Sequence, residues 1–235
     1  MSTALDSPPG WHGKLPSLGD FASRRLDSGF VDAWDGWLAA GLLALREADP
    51  AGWLDAYLAS PSWRFLLMPG VLPGDAARQG WAGVLMPSVD RVGRYFPLTI
   101  VRPLGDLPAS TQQMQALWHW LGRLDELAAD ALQDDWSVDR LETELARMAQ
   151  PELHEVAVAA APAVAPGALV ELPLADGGDA AGWIGIEAQS LWRERAAGLA
   201  YWFASTDLVA RRLVVSRGLP AALGALLAAT IPQAP

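Results

Sequence analysis

Three short runs, Trp63 to Met68, Trp81 to Met86 and Phe96 to Val101, are largely apolar on both faces and bounded by Pro or Gly. A strand with one wet face alternates apolar and polar residues; a run that does not alternate must be covered above and below. The fold class expected is therefore α/β in the α+β sense: a single mixed, mostly antiparallel sheet flanked by helices on both faces.

The segments around these runs can supply the cover. Ser28 can cap a helix running to about Ala48, with Phe30, Trp34, Trp37, Leu38, Gly41 and Leu45 on one face and Asp32 and Asp35 off it. A short helix follows, with Asp49 as N-cap, Pro50 at its first position and Trp53, Leu54, Tyr57 and Leu58 buried. Ser110 and Gln113 have capping-box spacing and open a long helix with Met114, Leu117, Trp118, Leu121, Leu124, Ala128 and Leu132 inward. Asp134, Asp135 and Trp136 break it. Ser137 caps another helix, whose Val138, Leu141, Leu145 and Met148 share a face, and Pro151 closes the unit.

Before these elements, Gly10 to Leu15 reads as a short first strand followed by a turn-rich PSLGD. After them, residues 156–182 are rich in Ala, Pro and Gly and read as an irregular excursion within a single domain spanning 1–235. Strand-like pieces resume at Trp183–Ile186, Leu191–Arg193 and Ala200–Phe203, with another at Arg212 to Ser216. Pro220 starts a last amphipathic helix.

Composition excludes several functions. The chain has no Cys, hence no disulfide and no thiolate metal site. Its first ten residues lack a basic start and an apolar stretch, so a cleaved signal is not expected. The apolar stretch Val156 to Ala175 is interrupted by Pro162, Pro166, Glu171 and Pro173, and neither it nor Leu219 to Ile231 reads as a span, so direct membrane insertion is not expected. These features suit a cytoplasmic location. The net charge of −10 is concentrated in residues 105–179, which hold 14 acidic and 3 basic side chains. Nucleic acid is thus not an expected partner, because phosphates need a basic stripe. The acidic stretch is either a solvated helical face or a docking face for a basic partner.

No catalytic pattern emerges, and no cofactor is expected. His12, His119 and His154 are far apart and in no ligand motif; there is no P-loop, no GxGxxG and no nucleophile elbow. The alternative kept open is a serine-type hydrolase or other small-molecule enzyme using Ser17 or Ser88 with His12 and a carboxylate, which requires all three within about 3 Å hydrogen-bond reach.

Two Gly/Pro-rich segments remain, residues 10–21 and 86–99, each placing charges beside an apolar strand. They supply the expected partner-binding residues: Lys14, Ser17, Asp20 and Phe21 from the first, and Asp90, Arg91, Arg94 and Tyr95 from the second. Arg and Tyr often dominate interfaces. The competing expectation is structural: Asp90 pairs with Arg91 or Arg94, and Asp20 and Asp90 simply tie the arginines. Lys14 is the only lysine, against sixteen arginines, which suits a position where a compact ammonium fits and a planar fork does not.

The same segments carry a resemblance. GWHGKLPSLGDF, a Trp-rich helix, SPSWRFLL and GVLMPSVDRVGRYFPLT together resemble the TagF family of type VI secretion-associated proteins over residues 10–104. SLWRE at 190–194 and SRGLP at 216–220 resemble its later motifs more loosely, with Arg193 and Glu194 where aromatics usually follow. The resemblance implies a compact α/β domain without catalysis. It also implies negative, post-translational control of secretion-apparatus assembly by protein–protein binding, with an FHA-domain scaffold as partner. Some family members are fused to, or encoded beside, a PP2C-type phosphatase; no phosphatase domain is expected within these 235 residues.

Overall fold

The structure is a computed structural model that describes residues 7–151, 153, 191–204 and 212–227. Its centre is one seven-stranded sheet. In chain order the strands are β1 (Gly10–Gly13), β2 (Ala22–Arg24), β3 (Trp63–Leu67), β4 (Gly80–Met86), β5 (Leu98–Leu104), β6 (Leu199–Ala204) and β7 (Arg212–Arg217). Their order in space is β2-β1-β5-β4-β3-β6-β7, and every described pairing is antiparallel.

The double-sided strands acquire the cover they require. One face carries α3 (Thr111–Gln133) and α4 (Val138–Arg147); its core includes Leu66, Val84, Ile100, Leu121 and Leu141. The other carries α1 (Ser28–Ala48), α2 (Trp53–Leu58) and α6 (Gly224–Leu227), over Phe65, Trp81, Val101 and Trp202. Phe30, Trp34 and Leu38 are the fully buried members of the α1 stripe. On α3 the buried set includes Trp120 as well as the expected leucines. Buried indoles need acceptors. Trp34 donates to Thr99 Oγ1 (2.8 Å), Trp63 to Leu226 O (2.9 Å) and Trp81 to Ala76 O (2.9 Å).

Local chemistry places several boundaries differently from the sequence reading. Asp27, not Ser28, caps α1: its side chain accepts from Phe30 N at 2.8 Å, and an N-cap bonds the amide three residues on. Asp49 does accept from Gly52 N (2.9 Å), but this closes a turn at 50–52 and the regular helix begins at Trp53. β5 begins at Leu98, because Pro97 has no N–H for the ladder and Phe96 N is spent on Ser88 O (3.1 Å). Leu191–Arg193 is not a strand: residues 191–196 are helical (α5), and Gly198, at φ 75°, follows as a left-handed stop. The last helix begins at Gly224 rather than Pro220. β2 was not foreseen, since it lies within a turn-rich stretch and is three residues long. The 156–182 excursion and Trp183–Ile186 fall outside the described residues.

Candidate functional site

β1 ends at Gly13, whose φ of 131° and close approach to the Pro97 carbonyl admit no side chain. Beyond it, residues 14–21 lie against residues 87–97, the connection between β4 and β5. Asp90 joins them. Its carboxylate is buried and accepts from Lys14 Nζ (2.9 Å), Arg94 Nε (2.7 Å), Arg94 N (2.9 Å) and Val92 N (3.0 Å). Burial alone would raise its pKa, but the backbone bond from Arg94, the Lys14 and Arg94 side chains and the Val92 amide outweigh it and hold the carboxyl well below the usual carboxylate range.

Lys14 is equally buried. Its ammonium also reaches Arg94 O (3.3 Å) and sits 4.8 Å from the centre of the Phe21 ring. Three more ties hold the loops. Arg91 N donates to Leu18 O (2.8 Å), Ser88 Oγ to Lys14 O (2.8 Å), and the Arg94 guanidinium to Gly19 O. From the α2 side, Tyr57 Oη donates to Ser88 O (2.9 Å) and accepts from Ser88 N (2.8 Å). Burial pushes this phenol far above its ordinary pKa, so it keeps its proton as a structural donor. From the other face, Ser17 Oγ donates to Trp136 O (2.6 Å) between α3 and α4.

The residues expected to bind a partner thus divide. Lys14 and Asp90 are inside and hold the loops together; Ser17 is half-buried and committed to Trp136. Asp20, Phe21, Arg91 and Arg94 are exposed, with Val92 and Gly93 at the tip of the second loop. Asp20 does not tie an arginine; it accepts from Phe21 N (2.8 Å). Asp90 pairs with Arg94, while among the described residues the Arg91 guanidinium has neither a hydrogen bond nor a carboxylate partner. Tyr95 is half-buried against Trp53 and Tyr57. Phe21 is 46% exposed, with its inner edge stacked on His12 and crossed by Phe96.

The hydrolase alternative fails on geometry. Ser17 and Ser88 each give their hydroxyl hydrogen to a backbone carbonyl, and His12 Nε2 faces Asp35 Oδ1 at 3.1 Å. No Ser–His hydrogen bond exists among the described residues, so these groups form no triad. Nor do three His, Asp or Glu side chains among them gather where they could hold a metal ion. No helix of the described residues is long and apolar enough to cross a membrane.

Sequence reasoning missed Tyr57 and Trp136 as parts of this site and did not single out Gly19 and Val92 within the two segments. The first two lie 31 and 119 residues from their partners, and no local pattern signals contacts at such separations.

An antiparallel sheet between two helical layers, with two loops cross-braced through a buried ion pair, defines the chain as an α+β protein. Residues 10–148 match the family model described as the TagF N-terminal domain, type VI secretion system-associated, and the chain belongs to that family. Among solved structures it is similar to PA0076 from Pseudomonas aeruginosa PAO1. The two share 32% identity with a TM-score of 0.72, over 97% of this chain and 98% of that one. No curated protein matches the sequence. The matched family region ends near α4, yet β6 and β7 extend the same sheet through β3.

Proposed function

We propose that this protein is a non-catalytic, cytoplasmic accessory factor that restrains assembly or activity of the type VI secretion system by binding one of its components. The observation that carries this reading is the pairing of family membership with a loop surface held rigid by the Lys14–Asp90–Arg94 network. A loop fixed by buried ionic bonds loses little entropy on binding. The exposed face of these loops offers Arg91 and Arg94 as cations and Phe21 and Val92 as apolar contacts. Such a surface suits an acidic segment of a partner, and an FHA-domain scaffold of the apparatus is the partner proposed. Affinity capture from the native host, read by mass spectrometry, should recover a secretion component with the wild-type chain and lose it with Arg91→Glu. Recovery of no secretion component by the wild type would refute the reading.

A further inference from the structure

The two edges of the sheet are built differently. β2 is three residues long and is followed by Arg25, whose left-handed backbone (φ 57°) and bonds to Pro8, Pro9 and Glu142 close that edge. β7 is six residues long and, among the described residues, pairs only with β6. The described residues show no such closure there, and an edge of that length is a template for another strand.

Its outer face is apolar too. Leu213 and Val215 are 63% and 50% exposed and stand opposite Phe203 and Tyr201 in the ladder. α3 packs mainly over β3, β4 and β5. Between α3 and β7 lies a groove of about 510 Å³, walled by Met114, Trp118, Trp192, Tyr201, Phe203 and Leu213. That volume lies within the range of ligand-binding sites, roughly 300–1,000 Å³.

Charge selects the occupant. Residues 7–151 hold eighteen acidic and twelve basic side chains, whereas residues 191–204 and 212–227 hold four arginines and one glutamate. The arginines include Arg195 and Arg217, both exposed, and Arg217 donates to the Ala197 carbonyl rather than to a carboxylate. A second copy pairing β7 with β7 would bring this basic edge against itself, and like charges across a strand pair are unfavourable.

We propose that β7 and the groove beside it dock an extended segment of a partner protein in which apolar residues alternate with carboxylates, added to the sheet as a further strand. Main-chain bonds along β7 supply affinity; the groove takes alternate apolar side chains and the exposed Arg195 and Arg217 take the carboxylates. This surface is at the opposite end of the sheet from the two loops and does not depend on their proposed role.

The test is fluorescence anisotropy of a labelled peptide of roughly nine residues alternating Glu and Val, long enough to span the strand, titrated with the full chain. A Lys/Val peptide serves as counter-probe. The Glu/Val peptide should bind at least ~10-fold more tightly than the Lys/Val peptide, and Leu213→Glu should weaken it at least ~10-fold without changing the melting temperature. Leu213→Thr, which keeps a strand-forming residue, should weaken it in the same direction, and Arg91→Glu should leave it unchanged. Absence of binding, equal binding of the two peptides, or full binding by both Leu213 variants would overturn the proposal. A concentration-dependent dimer abolished by Leu213→Glu would overturn it in favour of a second copy.

Discussion

Lys14 shows why one side chain is not interchangeable with another of the same charge. Its ammonium sits between Asp90 Oδ2 and the Arg94 carbonyl, 4.8 Å from the centre of the Phe21 ring, a set of contacts that suits a compact point charge rather than a planar fork. Lys14→Arg should therefore lower the melting temperature by several degrees, measured by thermal denaturation at neutral pH. Asp90→Asn should do the same, because it leaves a buried ammonium without its counter-charge. Acid should act through the same group. Asp90 and Glu142 both have folded pKa values below their ordinary ones: for Glu142, the Arg25 and Trp11 hydrogen bonds outweigh the burial that would raise it. A depressed folded pKa means that the unfolded chain binds more protons. The stability involved is thus present above the ordinary carboxylate range and is lost as pH falls through the folded values. Melting temperature followed from neutral pH into acid should fall steadily below that range, and Glu142→Gln should shrink the fall. The lone lysine among sixteen arginines was visible in the sequence; its partner Asp90, expected there to pair with Arg91 or Arg94, was not, because a separation of 76 residues has no local signature.

At the scale of elements, β4 has a position that cannot take a side chain. A methyl group at Gly83 would lie 2.3 Å from Ile100 O and 2.9 Å from Val101 Cα, both on the paired strand β5. Backbone in mid-sheet cannot yield, so Gly83→Ala should produce little soluble protein, read by expression and circular dichroism. Leu124→Ala, within the α3 face of the core, should instead fold with a loss of about 2–5 kcal/mol in denaturant titration. Elements with strong periodicity or caps were legible: α1, α3 and α4 from their stripes, and β3 and β4 from unbroken apolar runs. Where the pattern was short, it misled. Leu191–Arg193 looks strand-like in three residues, but the Glu-Arg-Ala that follows favours a helix and Gly198 ends it. β2 carries too few residues to show any period, and it pairs with β1 only because the intervening loop folds back.

For the whole molecule, the sheet joins two surfaces with different chemistry: cross-braced loops beside β1 and β5, and β7, which among the described residues pairs only with β6 and carries the exposed Arg217. Family membership was legible in residues 10–104, where the loop motifs lie, since those motifs encode backbone conformation and buried charge pairs rather than periodicity. Which loop residues face outward was not legible; Asp90 and Arg91 are adjacent in sequence, yet one is buried and the other exposed. Under the proposed function, the exposed loop face restrains secretion. Deleting the gene should raise type VI effector release, and overproducing the wild-type chain should lower it. The most direct measurement is effector release from the native host overproducing either the wild-type chain or the Phe21→Glu, Arg91→Glu double variant, both brought to equal soluble levels and shown to melt alike. The wild type should suppress release and the variant should not. Equal suppression by both would contradict the assignment of that face.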